Sequence, residues 1–430
     1  MLPMLFLLTA VFTLLNTTHI SHLAYSEPTT SVECTYVVAP SNFTTAISSA
    51  LNGDVICLLP GVYEVPKIDI KDKSLTIQGL SSNPSDVKIV LTSGSLKLAP
   101  SENNAIVLRN LGVELAADSR GQAAIQIYWS GKRGSKYDIG TVVLENLVVN
   151  ATQAVATSVQ VGPDVKMRAF ELRNSLVLAG DIGVQIGPDT SVTGVIVIHN
   201  NTIYADNIGI QVGPDSYVAA YLRISQNNIS AGVVGVQIGP PTGALKAPPV
   251  IGVLELVGNT IASNSSNVLE LRSFIGNNAS IYLNRFIGNG SHVTFKIDTR
   301  LVDPEKAFLS TPDEVDYWCR NRALRGRLGN YYVDWTEPDD NDDCIVDYPR
   351  QITSVLSDAN PLAVDPSSLY LGYSLWFIAI EELLEGLVGA EATVVMGGSV
   401  LVDYVAESVV LIATGTTLLI IGALFRGRRE

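Results

Sequence analysis

VQVGPD begins at Val159, VQIGPD at Val184, IQVGPD at Ile210 and VQIGPP at Val236. The glycines of these segments, Gly162, Gly187, Gly213 and Gly239, lie 25, 26 and 26 residues apart. A repeat of that length is the mark of a solenoid. Within each unit Val-Gln-Val alternates with period two, as a half-buried strand does. Gly-Pro-Asp then ends the strand, because proline fixes φ, glycine permits a tight bend and aspartate bonds back to the backbone. A second short strand follows at 170–172, 195–198, 221–224 and 253–256. After it comes an asparagine corner at Asn174, Asn201, Asn227, Asn259 and Asn284, with Asn110 and Asn146 earlier at looser spacing. No amphipathic helix fits between the strands, which argues against leucine-rich and helical repeats.

Short strands and corners recurring at this period predict the coils of a parallel β-helix. One coil cannot bury its inward Val, Ile and Leu, but coils stacked about 4.8 Å apart share a continuous core. Gln160, Gln185, Gln211 and Gln237 are then expected to form one side-chain ladder and the corner asparagines another, each amide bonding to its neighbour along the axis. Asp164, Asp189 and Asp215 would stack on one edge, as turn aspartates or as a weak calcium row.

The stretch NFTTAISSALNGDVICLLPGVYEVPKIDIKDKSLTIQG (42–79) resembles the opening of right-handed β-helix proteins of the pectate-lyase-like superfamily. The resemblance covers roughly residues 34–350 and implies an all-β solenoid capped by a short helix, here Thr44–Leu51. It implies no single activity, since that fold hosts lyases, hydrolases, adhesins and passive scaffolds. The expected organisation is a signal peptide at 1–24, the β-helix at 34–300 and a disulfide-closed cap with an Asp-rich loop at 301–362. A juxtamembrane amphipathic helix at 367–407, a transmembrane helix at 408–425 and a cytoplasmic tail at 426–430 follow.

Composition fits a secreted chain. Of 430 residues 47% are hydrophobic, and 28 basic against 42 acidic side chains give a net charge of −14. An acidic surface without a basic stripe repels phosphate backbones, which argues against a nucleic-acid partner. The apolar run LPMLFLLTAVFTLL (2–15), with Ala24 at a cleavage distance, reads as a signal peptide. It has no basic residue before it, so an uncleaved N-terminal anchor is the alternative. Residues 408–425 carry no charge and stop at RGRRE, long enough to span a bilayer, with Arg426, Arg428 and Arg429 on the cytoplasmic side. Everything upstream would then face outward, as a cell-surface ectodomain. Cys34 with Cys57 and Cys319 with Cys344 fit two local disulfides. Seven N-x-S/T triplets, at Asn42, Asn150, Asn200, Asn228, Asn264, Asn278 and Asn289, fit a glycosylated surface.

Three segments are candidates for function. The excess residues between Asn110 and Asn146 include IYWSGKRGSKYD (127–138), whose Tyr128, Trp129, Lys132, Arg133, Lys136 and Tyr137 could hold a sugar by stacking and bind acidic groups. A second insertion, PPTGALKAPP (240–249), reads as structural. GNYYVDWTEPDDNDDCIVDYP (329–349) resembles the C-terminal signature of NosD-like β-helix surface proteins. Its Asp339, Asn341, Asp343, Ile345 and Asp347 fall at positions 1, 3, 5, 7 and 9 of an Asp-rich calcium loop, although Cys344 replaces the glycine at 6 and Arg350 the glutamate at 12. A structural calcium or a solvated acidic turn is expected there. Copper would need His, Met or Cys ligands, and no such cluster exists. Tyr373, Trp376, Phe377, Ile380, Leu383, Leu384 and Leu387 follow helical spacing with Glu381, Glu382 and Glu385 opposite. That helix, capped by Ser367 or Ser368, would pack under the β-helix or self-associate through 369–387.

Lone histidines (His199, His292) and coils without paired carboxylates favour a non-catalytic role in adhesion, glycan binding or envelope scaffolding. A polysaccharide lyase or hydrolase whose groups converge from different coils is the alternative. Metal-cofactor maturation by analogy with NosD-like proteins is a third.

Overall fold

Each coil folds as three short strands because its sequence interrupts β-branched alternation at three fixed points. In one coil the strands are Lys166–Arg173, Leu176–Ala179 and Ile182–Ile186; in the next they are Val195–His199, Thr202–Ala205 and Ile208–Val212. They pair parallel and in register, with Phe170 opposite Ile196, Leu176 opposite Thr202 and Val184 opposite Ile210. The computed structural model describes residues 33–371 apart from 118, 120–122, 129–137, 241–246 and 290–291, and over this range the chain is a parallel β-solenoid. Strands Ala105–Leu115 and Asp138–Ala151 run unbroken from the first face into the second, so these two faces form one 21-stranded sheet, while the third face is a separate sheet of nine strands. Leu172, Val177 and Val184 meet Ile198, Ile203 and Ile210 from the three faces with no exposed surface. Gly183, Gly209 and Gly235 repeat on the third face because a Cβ on Gly209 would overlap Cγ2 of Ile229 and the carbonyl oxygen of Gly235.

The corner asparagines occupy two adjacent rows, where the sequence suggested one. Asn110, Asn146, Asn174 and Asn200 hold positive φ, between 49° and 56°, and make the turn itself. Asparagine tolerates this left-handed conformation better than most side chains. The buried ladder lies one residue further on, and Asn174 gives way in it to Ser175. Asn201, Asn227, Asn259, Asn284 and Asn330 are each at most 2% exposed. Each donates Nδ2–H to the Oδ1 of the next, at 2.9 Å, 3.0 Å, 2.9 Å and 2.9 Å in turn. The same oxygens also accept the backbone N–H of the preceding rung. The second amide hydrogen goes to a main-chain carbonyl, Ile224 for Asn259 and Leu256 for Asn284. No donor is left unpaired, which a buried amide row requires.

Both ends of the solenoid are closed. At the N-terminal end helix α1 (Phe43–Ser49) buries Phe43, Ala46 and Ile47, and Phe43 meets Tyr63 edge-on at 5.1 Å. Lys73 Nζ donates to the carbonyls of Ile47 and Ala50 at the helix C-terminus, at 3.1 and 2.8 Å, where orphan carbonyls need donors. A disulfide ties Cys34 to Cys57 with Cα atoms 5.7 Å apart.

At the other end rung pairing runs past residue 300, with Ala279 opposite Ala307 and Arg285 opposite Tyr331. An antiparallel hairpin, Val315–Cys319 with Arg322–Gly326, follows, and Cys319 is bonded to Cys344. Phe286, Phe295 and Tyr332 close the core as a mutual aromatic cluster. Arg350 lies 4.3 Å over the Tyr332 ring and grips Asp334 with both guanidinium nitrogens, at 2.5 and 3.1 Å. Residues 366–371 depart from the expected first helical turn. Pro366–Ser368 is a 3-10 turn capped by Asp365, and Tyr370–Leu371 adds antiparallel to Tyr317 and Trp318. Asp365 accepts the Ser367 N–H, which takes the capping role expected of Ser367 or Ser368. The remainder of the amphipathic segment, the span at 408–425, the tail and the leader lie outside the described residues. Among those described, no helix is long and apolar enough to cross a membrane.

The asparagine ladder ends on a buried carboxylate. Asp358 Oδ2 accepts the backbone N–H of Asn330 at 2.8 Å, its amide at 3.3 Å and the Tyr332 hydroxyl at 2.9 Å. Burial raises the Asp358 carboxyl to about 6, against the opposing pull of these donors, and Tyr332 beside it is raised well above its ordinary value by the same burial.

Two measurements check this account. Asn259→Ala strands the backbone N–H and one amide hydrogen of Asn227 in the core, so its loss of stability should be on the order of 3 kcal/mol in denaturant unfolding. A raised carboxyl stabilises the fold at low pH, and that contribution is lost as pH rises through about 6. Compared with Asp358→Asn across pH 4–7, the native chain should therefore lose about 3 kcal/mol more as pH increases. A pH-independent difference between the two would rule out this titration.

Candidate functional site

The outward glutamines of the third face build the clearest surface feature. In-register pairing aligns Asp69, Lys97, Gln126, Gln160, Gln185, Gln211, Gln237, Glu270 and Lys296 in one row. The glutamine amides donate in one direction, Gln126 to Gln160 at 2.9 Å, Gln160 to Gln185 at 2.6 Å, Gln185 to Gln211 at 2.7 Å and Gln211 to Gln237 at 2.6 Å. The expected ladder is present and longer than the four repeat glutamines. Its last donor, Gln237, meets Glu270 Oε2 at 2.6 Å, and Glu270 also accepts from Lys296 Nζ at 2.7 Å and Asn267 Nδ2 at 2.6 Å. Burial opposes ionisation of Glu270, but the hydrogen bonds from Lys296, Gln237 and Asn267 outweigh it and hold the carboxyl below its ordinary value. It is a settled anion at neutral pH, poorly suited to give up or take a proton.

Beside this row Ile182, Ile208 and Val234 stack as a small apolar cluster separate from the core. Ile208, Val234, Gln211, Gln237, Glu270 and Lys296, with Val233, Ser265, Asn267 and Thr294, line an open groove of about 600 Å³. The sequence held the signal for these additions: IQI at 125–127, LEL at 269–271 and FKI at 295–297 repeat the Val-Gln-Val alternation, but the insertion at 240–249 throws Glu270 out of period.

The first face carries a charged cluster that the repeat did not advertise. Glu145, Arg173, His199 and Ser225 form one row, and Glu171, Val197, Arg223 and Glu255 the row two residues earlier. Arg173 pairs with Glu145 at 3.2 Å and Arg223 with Glu255 at 3.6 Å. His199 Nδ1 lies 3.0 Å from Ser225 Oγ, so this histidine, alone in the sequence, has neighbours from three coils. Burial lowers its pKa, reinforced by Arg223 and Arg173. Burial raises Glu171, with Arg173 pulling down and Glu145 pushing up.

The remaining candidates are distributed as follows. Tyr128 packs against the core cluster with Lys97 Nζ 5.3 Å from its ring centroid, while Trp129, Lys132, Arg133, Lys136 and Tyr137 lie outside the described residues. In the Asp-rich loop the oxygens accept from nearby N–H groups. Asp339 takes Asp343 N–H and Cys344 N–H, Asn341 takes Asp343 N–H, Asp343 takes Ile345 N–H, and Asp347 takes Asp340 N–H and the Asn341 amide. Among the described residues no group of three or more His, Cys, Asp or Glu is placed to hold a metal ion. Asp164, Asp189 and Asp215 each hold φ between 56° and 58° in their turns and are exposed. Asn42, Asn200, Asn228, Asn264, Asn278 and Asn289 are exposed and Asn150 is half-buried. None of the seven lies on a strand of the third face.

No protein-family profile matches the sequence, and no curated protein matches it. Among solved structures, the chain is similar to ORF18 of Geobacillus virus E2 at 14% identity, with 61% of this chain and 56% of that one covered and a TM-score of 0.26. It is also similar to the PL6 family alginate lyase AlyGC at 10% identity, with 68% and 55% covered and a TM-score of 0.17. The chain thus spans little more than half the length of either, and likenesses this weak bear on no activity.

Glu270→Gln should cost about 1–2 kcal/mol at neutral pH, because Lys296 loses its charge partner and two amide donors compete for one oxygen. A lowered carboxyl stabilises the fold above its unfolded value and ceases to do so in acid. Thermal unfolding of the two proteins should therefore converge as pH falls below the carboxylate range.

Proposed function

We propose that this is a cell-surface β-solenoid, exported by its N-terminal segment and held in the membrane by residues 408–425, with a non-catalytic role in binding glycans. The observation that carries this reading is the third-face groove. It offers a continuous row of amides and an apolar strip, with one carboxylate already neutralised by its neighbours. Saccharides are held by such planar polar groups alternating with apolar surface, and hydrolysis needs a free carboxyl pair the groove lacks.

A polysaccharide-active enzyme is the second reading, favoured by the first face alone. There Glu171, raised by burial, stands one coil and two residues from His199, lowered by burial. Groups pushed toward neutrality in this way are the usual material of acid–base sites.

The solubilised full-length protein, incubated with a panel of acidic and neutral polysaccharides, separates the readings by mass spectrometry of released products and by retention of intact polymer. Retention without oligosaccharide release is the expected result. Release that disappears in Glu171→Gln or His199→Ala would overturn it in favour of the enzyme.

A further inference from the structure

We infer that the groove on the third face takes an uncharged linear polysaccharide lying along the solenoid axis, one sugar to each coil; this rests on the glycan-binding reading above. The first ground is spacing. Gln211, Gln237 and Glu270, which line the groove, repeat at the coil separation of about 4.8 Å, close to the length one pyranose unit adds to an extended chain. A polymer on the axis therefore places one unit against each rung, Gln211, Gln237, Glu270 and Lys296 in turn.

The second ground is hydrogen-bonding capacity. A primary amide has two N–H donors and two acceptor lone pairs. The ladder spends one of each at Gln160, Gln185, Gln211 and Gln237. One N–H and one lone pair remain at each rung; Gln160 and Gln237 are buried, and Gln185 and Gln211 are partly exposed. A hydroxyl, which both donates and accepts, satisfies that pair, whereas a carboxylate can only accept. The third ground is charge. Glu270 and Lys296, the charged groups lining the groove, cancel each other at 2.7 Å, so nothing remains to compensate an acidic polymer against a chain of net charge −14. Val233 on the groove rim, exposed above the buried Ile208 and Val234, offers the apolar contact that the C–H faces of a sugar seek.

The test measures binding of the solubilised full-length protein to neutral β-1,4-linked gluco- and manno-oligosaccharides of two to six units and to oligogalacturonates, by isothermal titration calorimetry. Neutral chains should bind with affinity rising as units are added, and oligogalacturonates at least tenfold more weakly. Gln211→Met should weaken neutral binding at least tenfold. Gln126→Met breaks the same ladder outside the groove and should leave binding unchanged, which separates contact from mere structural support. If Gln211→Met fails to fold, Val233→Arg on the exposed rim, 47% accessible, should produce the same loss without touching the ladder. Tight binding of oligogalacturonates alone would overturn the ligand class while leaving glycan binding in place. Equal effects of Gln126→Met and Gln211→Met would remove the groove as the site. Absence of binding by every saccharide would count against the glycan reading itself.

Discussion

Two rows of side-chain amides, one buried and one at the surface, donate in the same direction along the solenoid, and everything else in the fold has to accommodate them. A hydrogen-bonded amide row has a polarity: each rung passes a donor forward and presents an acceptor behind. Such a row cannot simply stop, because its final N–H would be left in the core or at a half-buried edge without a partner. The glutamine row meets this demand with the carboxylate of Glu270, while the last asparagine, Asn330, gives its amide to the Ile281 and Leu309 carbonyls and its backbone N–H to the carboxylate of Asp358. A carboxylate is the natural terminator, since it accepts without needing to donate.

The two terminators nevertheless have opposite electrostatic fates. Glu270 sits within reach of Lys296 and Asn267 and is kept charged. Asp358 is sealed with no exposed surface and is pushed toward its neutral form; Arg350, over the neighbouring Tyr332 ring, serves Asp334 instead. The surface ladder thus ends in a neutralised ion pair, and the core ladder in a group whose charge is costly.

Much of the fold was legible because the repeat is dense where it counts. The 25- and 26-residue steps between glycines fixed strand register, and the Val-Gln-Val alternation fixed which residues point outward. Helix α1 was expected at Thr44–Leu51 and lies at Phe43–Ser49, and both disulfides pair as the cysteine positions suggested. The asparagine rows were harder to resolve, since a turn-forming residue and a ladder-forming residue of the same type stand side by side at Asn200 and Asn201. Their roles differ only in backbone conformation. The charged first face was hidden for another reason: Glu145, Arg173, His199 and Arg223 come from separate coils and share no motif, so only register brings them together. In the Asp-rich loop the spacing of a calcium loop coincides with that of turns in which aspartates bond to their own backbone, so the sequence pattern serves both.

The uniformity of the middle coils and the singularity of the ends also govern how such a chain can change in length. Between Ser175 and Asn284 each rung hands on the hydrogen bonds it receives, so a duplicated coil would find its partners ready on both sides. The caps have no such freedom: helix α1 fits only the first rung, and Asp358 only the last. Growth by internal duplication, in axial steps of about 4.8 Å, is therefore open to this architecture, while extension from either terminus is closed.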